Sequence, residues 1–170
     1  GAAPRRGEMT ARPDPAAGPH VVAVGGGHGL AVSLRAVRSY AGTIHAVVTV
    51  ADDGGSTGRL RAAAQRPAPG DLRKCLVALA EPDSMLAAAM EHRFDAGELA
   101  GHAFGNLLIL ALAESGGELV PALDEVGRLV GAAGRVLPST TDVVELCARL
   151  RGDATVEGQV AIGDRADVAT

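Results

Sequence analysis

Residues 20–30 read HVVAVGGGHGL, and they contain the clearest structural signal in the sequence. A short apolar run leads into a segment with four glycines in five residues, after which Leu30, Leu34 and Val37 recur at helical spacing. A second β-branched run at 44–50 again leads into a glycine-rich loop. The order of strand, glycine loop, helix, strand and glycine loop predicts a parallel α/β sheet, because parallel neighbours require a crossover connection.

The rest of the chain continues as helical and extended patterns within one domain. Apolar spacing predicts four more helices, directly after 67–70 and at 84–93, 102–115 and 118–131. Strands are predicted at 135–140, 142–150 and 155–162, with helix as the alternative for 142–150. Residues 1–18 lack periodicity and predict a disordered tail, so that 19–170 form the domain.

The composition excludes several classes of protein. The 170 residues carry 16 Lys plus Arg and 20 Asp plus Glu, and this net charge of −4 argues against a general nucleic-acid binder. Three aromatic residues are too few for a base-stacking platform. Because no apolar run reaches about 18 residues and no signal peptide is apparent, we expect a cytoplasmic location without a membrane span. Cys75 and Cys147 match no zinc spacing, so we expect buried, reduced thiols.

The glycine loop after the first strand is the strongest candidate for a ligand site. Glycines there allow a ligand to approach the backbone, and the N-terminus of the following helix offers N–H groups and partial positive charge to an anion. The loop departs from the dinucleotide-binding fingerprint because Leu30 occupies the third glycine position, and no Gly-Lys-Ser/Thr of a P-loop follows. A glycine turn without a ligand is the alternative.

A second candidate site follows the second strand, where residues 51–61 read ADDGGSTGRLR. In an open parallel sheet the ligand crevice lies at the carboxyl ends of the strands, so we expect this loop and the glycine loop to meet there. Asp52 and Asp53 suit a hydroxyl-rich group or Mg²⁺. Phosphate oxygens would be bound by the backbone amides of Gly54 and Gly55, the hydroxyl of Ser56 and the guanidinium of Arg59. A flexible acidic turn with solvated arginines is the alternative.

Three more pairs of polar residues stand where predicted elements begin or end: Asp71 with Arg73, His102 with Asn106, and Ser139 with Thr140. The first pair begins a helix, where the acid most simply acts as a cap, and Arg73 and Lys74 add positive charge that would face the crevice. The second begins the buried helix, where it suits a proton carrier, a base or sugar edge, or hydrogen-bonded caps. The third follows a strand, and a local Ser/Thr turn is its alternative. No nucleophilic triad is apparent, and no catalytic residue is predicted.

Five stretches of the sequence, in this order, resemble the YvcK-type gluconeogenesis factors of the CofD-like superfamily. They read GGGHGL, VTVADDGGSTGRLR, PGDLRKCLVALA, GHAFGNLLILAL and GRVLPST, and the resemblance covers about residues 20–165. The superfamily is named for 2-phospho-L-lactate transferase. The resemblance implies an α/β fold with a Rossmann-like parallel sheet and flanking helices. Because members are much longer than this chain, it also implies a domain truncated at its C-terminal side.

The resemblance further implies a ligand and its contacts. The expected ligand is a nucleotide-diphosphate compound, either a UDP-sugar such as UDP-N-acetylglucosamine or an NAD-like dinucleotide, and no cofactor is required. The diphosphate would lie along Gly26, Gly27, His28 and Gly29. The pocket would be lined by Asp52, Asp53, Gly54, Gly55, Ser56, Arg59, Asp71, Arg73, His102, Asn106, Ser139 and Thr140. If Mg²⁺ is used, Asp52 and Asp53 would hold it.

The function implied by the resemblance is that of a cytoplasmic regulatory protein needed for cell shape and cell-wall homeostasis on gluconeogenic carbon sources. Such a protein binds a nucleotide sugar without turnover and acts on a protein partner, and a homo-oligomer is left open. A Mg-dependent phosphotransferase of the 2-phospho-L-lactate transferase type is the first alternative, since two adjacent aspartates suit the metal. An NAD-binding Rossmann protein is the second, and the missing third glycine argues against it.

Overall fold

The larger sheet in the described part of the chain is built from three parallel strands. A computed structural model describes residues 18–53, 67–150 and 154–165. The strands are β1 at His20–Gly25, β2 at Thr43–Val48 and β3 at Arg135–Pro138, and β2 lies in the centre. The register pairs His20 with Thr43 and His45 with Arg135. The predicted parallel α/β sheet is therefore confirmed.

Five helices connect and cover these strands. They are α1 at Gly27–Val37, α2 at Pro69–Leu79, α3 at Met85–Glu91, α4 at Phe104–Gly116 and α5 at Leu119–Leu129. Each overlaps a helix that apolar spacing predicts. The central helix is α2, which contacts the other four helices as well as β2 and β3. Its residues Leu72, Leu76 and Leu79 are fully buried, so α2 forms the middle of the hydrophobic core.

The two faces of the sheet have different surroundings. On one face, Ile44, Ala46 and Val48 of β2 are buried in the same core cluster as the inner residues of the helices. Successive residues of a strand point to opposite faces, so Val22 and Val24 of β1 belong to the other face. These two side chains are 66% and 73% exposed. The core of the described chain therefore lies on one face of the sheet.

The C-terminal part of the described chain corrects two sequence predictions. It contains a separate antiparallel sheet and a short helix, with β4 at Cys147–Arg149, β5 at Thr155–Glu157 and α6 at Gln159–Gly163. The strand predicted at 142–150 is confined to residues 147–149, and Leu146, which precedes it, is exposed. The strand predicted at 155–162 gives way to α6 because Gly158 takes a φ of +93°, which turns the chain out of the strand.

Three smaller expectations have separate outcomes. Cys75 is buried as expected, whereas Cys147 is exposed because β4 belongs to the small second sheet, and both are free thiols. The tail predicted at 1–18 lies, except for Gly18, outside the described residues. Within the described ranges, none of the helices combines the length and the apolar character needed to cross a membrane.

Candidate functional site

The carboxyl ends of the three parallel strands lie side by side at one edge of the sheet. Gly25 pairs with Val48 and Val48 pairs with Pro138, so the strands end in register. The backbone extends this alignment, because Thr49 N donates to Gly25 O and Ser139 N donates to Val48 O, each at 2.8 Å. The loops after β1, β2 and β3 therefore begin next to one another, which is where open parallel sheets bind ligands.

The glycine loop forms the N-terminus of α1 at this edge. Gly26 is the N-cap residue of α1. Because glycine has no side chain, it cannot accept a hydrogen bond from the first N–H groups of the helix. Gly27 takes a φ of +63°, a conformation that glycine adopts without strain. A Cβ on Gly26 would overlap Thr49 Oγ1, whereas a Cβ on Gly29 would meet open space. The loop therefore presents an uncapped helix N-terminus, the geometry that binds anions.

One carboxylate faces the glycine loop from the neighbouring helix. Asp71 lies in the first turn of α2, and the N-cap of this helix is Ala68. A Cβ on Gly27 would lie 3.5 Å from Asp71 Oδ2, so the carboxylate is directly beside the loop. Lys74 Nζ donates to Asp71 Oδ1 at 2.9 Å and offsets its negative charge. An acceptor and a cation therefore flank the N-terminus of α1.

The aspartates after β2 lie at the same edge. Asp53 Oδ1 accepts a hydrogen bond from Val160 N at 3.0 Å, across 107 residues of sequence. Asp53 Oδ2 occupies the space that a Cβ on Gly158 would need. The Asp53 carboxylate therefore caps α6 and holds this helix at the strand ends. Asp52 is half-buried, and the loop that follows these aspartates lies outside the described residues with Gly54, Gly55, Ser56 and Arg59.

Arg73 and Asn106 form a buried polar cluster between α2 and α4. The two residues are 5% and 1% exposed, and Arg73 Nε donates to Asn106 Oδ1 at 3.1 Å. Arg73 Nη1 donates to Met90 O at 3.4 Å and also contacts the Glu91 carboxylate. A Cβ on Gly105 would lie 2.8 Å from Arg73 Cδ, so this glycine makes room for the arginine. The structure brings the two predicted site residues together with their polar atoms turned toward each other.

The remaining predicted site residues lie in turns. His102 is half-buried in the loop before α4, where its backbone N–H donates to Leu99 O at 2.9 Å. Ser139 is exposed at the end of β3. Thr140 Oγ1 accepts a hydrogen bond from Asp142 N at 3.1 Å, which is the local Ser/Thr turn considered as an alternative for this stretch.

Most of the chain matches one known protein family. The family model described as 2-phospho-L-lactate transferase CofD matches residues 21–170. The chain belongs to the CofD family. The match includes the parallel sheet, the glycine loop and Asp71, and it confirms the CofD-like resemblance of the five sequence stretches.

Relatives of this CofD-family chain include curated proteins and a solved structure. A gluconeogenesis factor from Halalkalibacterium halodurans is 40% identical over 144 residues, with 84% of this chain and 45% of that protein covered. A relative from Mycobacterium tuberculosis is 48% identical over 153 residues, with the same two coverages, 84% and 45%. A crystal structure of a protein from Bacillus halodurans matches with a TM-score of 0.83 and 38% identity. The match covers 88% of this chain and 49% of the chain in that structure. The chain thus spans about half the length of these relatives.

The CofD-family chain gathers part of the predicted site at the carboxyl edge. The glycine loop and Asp71 contact each other there, and Asp53 follows the neighbouring strand at the same edge, whereas Arg73 and Asn106 pair inside the protein. Their roles as ligand contacts stay predictions. Lys74, whose positive charge the sequence places beside Asp71, forms an ion pair with that residue at this edge. Sequence reasoning missed Thr49, whose hydroxyl lies against Gly26.

A cleft of about 350 Å³ in the CofD-family chain opens at the opposite edge of the sheet, where β3 begins. Its lining includes Leu76 and Val136 as well as Arg135, which donates to both carboxylate oxygens of Asp124 at 2.8 and 2.7 Å. The hydrogen bond from Arg135 lowers the pKa of Asp124 below its usual value. This ion pair satisfies both groups, and the cleft lies away from the glycine loop.

Proposed function

We propose that this chain supplies the diphosphate-binding part of a nucleotide-sugar site, with UDP-N-acetylglucosamine as the model ligand. The observation that carries the proposal is the uncapped N-terminus of α1, which lies at the carboxyl edge of the parallel sheet. Backbone N–H groups and the partial positive charge of an 11-residue helix both favour a diphosphate at this position.

The residues beside the glycine loop fit the other parts of such a ligand. Asp71 lies against Gly27, and a carboxylate in this place accepts hydrogen bonds from ribose or sugar hydroxyls. Lys74, which is ion-paired with Asp71, adds a cation for a phosphate oxygen. We expect the diphosphate to lie over the exposed residues His28 and Gly29, where the first N–H groups of α1 are accessible.

The role in the cell that we propose is regulation without turnover. The Halalkalibacterium halodurans relative is described as a gluconeogenesis factor, and this supports a role in growth on gluconeogenic carbon sources. We propose that the protein acts in the cytoplasm and passes nucleotide-sugar binding to a protein partner. We propose that the protein thereby maintains cell shape and the cell wall on gluconeogenic carbon sources. A strain without it should lose its normal shape on such carbon sources and keep it on glucose. Equal shape on both would contradict this role.

A thermal-shift titration with UDP-N-acetylglucosamine, with and without Mg²⁺, tests the binding site. A ligand at 100 times its Kd adds about 2.7 kcal/mol to the free energy of unfolding, which raises the melting temperature of a domain of this size by several degrees. We expect a saturable rise without Mg²⁺, and a much smaller one with UMP, which lacks the diphosphate. A rise in melting temperature only with NAD or a guanosine diphosphate compound would identify a different ligand. No rise with any of these compounds would contradict the proposal.

A Mg-dependent phosphotransferase is the second candidate, and the description of the matching family model favours it. Mg²⁺ usually takes one or two protein carboxylates and completes its shell with water and phosphate oxygens, which Asp52 and Asp53 fit as donors. Among the described residues, no group of three or more His, Cys, Asp or Glu converges on one point. The metal would neutralise charge on the leaving phosphate. Product formation from a guanylylated donor that is lost in Asp52→Asn would support this candidate.

A further inference from the structure

The cleft beside the start of β3 combines an apolar floor with a charged rim. Its volume of about 350 Å³ lies near the lower end of the range for ligand pockets, which begins at about 300 Å³. Leu76, Leu123 and Val136 form the floor, and none of these side chains is more than 2% exposed. A cleft of this size has room for one long side chain or a comparably small molecule.

Both arginines of the rim are already paired with carboxylates. Arg135 donates to the two carboxylate oxygens of Asp124, and Arg128 Nε donates to Glu125 Oε2 at 2.9 Å while its Nη2 donates to Oε1. These hydrogen bonds lower the pKa of Asp124 and of Glu125 below their usual values, so both carboxyl groups stay ionised. Among the described residues that line the cleft, no cation is therefore left unpaired to attract an anionic ligand.

Glu81 leaves a negative charge at the cleft. This residue is exposed just after α2, and no described cation forms an ion pair with its carboxylate. Its backbone is fixed, because Glu81 N donates to Val130 O at 3.0 Å. A Cβ on Gly131 would lie 2.6 Å from Glu81 Cδ, so the glycine makes room for this carboxylate. With the two ion pairs in balance, Glu81 gives the cleft one net negative charge.

Two helix C-termini add to this negative charge. Leu76 belongs to the last turn of α2 and Gly127 to the last turn of α5, and both residues line the cleft. The C-terminus of a helix carries partial negative charge and favours a cation. The last turn of α2 contains no basic residue that would offset it. The cleft therefore fits a cation that is carried on an apolar stem.

We propose that this cleft is the binding site for an arginine side chain of a protein partner. The methylene stem lies on the apolar floor, and the guanidinium reaches the Glu81 carboxylate. A guanidinium fits better than an ammonium, because its planar fork bonds both oxygens of a carboxylate and has further donors for the carbonyls of the helix ends. The inference depends on the cleft alone, which lies at the opposite edge of the sheet from the glycine loop, and not on nucleotide-sugar binding.

An NMR titration of the ¹⁵N-labelled chain tests the site. The probe is blocked arginine, in which the amine is acetylated and the carboxyl group is a methylamide, as within a peptide. We expect saturable shifts of the amides of Gly127, Gly131 and Gly134, with the millimolar affinity typical of so small a ligand. Glu81→Gln should weaken binding about tenfold, because the charged hydrogen bonds are lost. Asp83→Asn is the matched control, since Asp83 is exposed but does not line the cleft, and its affinity should be unchanged.

Every other outcome of the titration overturns the proposal. Absence of saturable shifts, shifts confined to amides outside the cleft, or equal affinity in Glu81→Gln would show that the cleft does not bind the side chain. Equal affinity for blocked lysine or blocked norleucine would show that the guanidinium is not recognised. Free arginine that binds at least about tenfold tighter than blocked arginine would identify a small-molecule site in place of a partner contact. No nucleotide sugar enters this experiment, so failure of the proposed function leaves its result unaffected.

Discussion

Gly27 and Gly29 stand two residues apart in the glycine loop and have opposite steric requirements. Gly27 has a φ of +63°, whereas a Cβ on Gly29 meets open space within α1. We expect Gly27→Ala to lower the free energy of unfolding by about 1–2 kcal/mol. Gly29→Ala should raise it by up to about 1 kcal/mol, because alanine is the better helix former. Urea denaturation measures both, and equal destabilisation by the two variants would contradict the described start of α1.

A charged substitution at Gly29 should change ligand binding without lowering the stability of the protein. Gly29→Glu places a negative charge in the first turn of α1, where the helix dipole favours it, so the melting temperature should not fall. The charge repels a diphosphate at this site, so calorimetry should show affinity for UDP-N-acetylglucosamine reduced by more than about tenfold.

Ala36→Glu is the control for this variant, since Ala36 is exposed about 10 Å further along the axis of α1. Salt screens a charge at this distance, so its affinity should stay near that of the unmodified chain. An equal loss of affinity in both variants would place the diphosphate elsewhere.

The short helix α6 depends on a carboxylate from a distant part of the chain. Asp53→Ala removes the acceptor for Val160 N, and loss of such a cap costs about 0.5–2 kcal/mol. We therefore expect hydrogen exchange of the amides in 159–163 to accelerate several-fold, with little change in the global melting temperature. Asp53→Asn keeps an oxygen acceptor and should show a smaller effect. Unchanged exchange in Asp53→Ala would mean that the cap does not hold α6.

The elements that could be predicted from the sequence are those whose signal is local. Apolar spacing and glycine placement suffice for β1, α1 and β2, because burial on one face repeats with the period of the element. The pairing of Arg73 with Asn106 could not be predicted, since it joins residues 33 positions apart through a tertiary contact. The same is true of α6, which depends on Asp53 and Gly158. At the site, the loops could be predicted, whereas the orientation of Asp71 toward Gly27 required the packing of α2 on α1.

The molecule is organised around α2, and Cys75 in this helix reports on its core. Burial raises the pKa of the Cys75 thiol to about 12, and Asp71 acts in the same direction. The thiol of the unfolded chain ionises near its ordinary value of 9.0, so the unfolded state gains stability above this pH while the folded thiol remains protonated. The free energy of unfolding should therefore fall as the pH rises from about 9 toward 12, with a slope approaching 1.4 kcal/mol per pH unit from this group.

Urea unfolding at several pH values between 8 and 11 measures this decline. Cys75→Ala should flatten it, whereas Cys147→Ala should not, because Cys147 is exposed in both states. A decline of the same steepness in Cys75→Ala would show that other groups cause it.

The register of the sheet has a consequence for the order in which the chain folds. The partners His20 and Thr43 of β1 and β2 are 23 residues apart, whereas His45 and Arg135 of β2 and β3 are 90 residues apart. Closing the longer loop costs roughly 1.2 kcal/mol more in chain entropy, and contacts between distant residues form slowly. We therefore expect β1, α1 and β2 to come together before β3 joins the sheet.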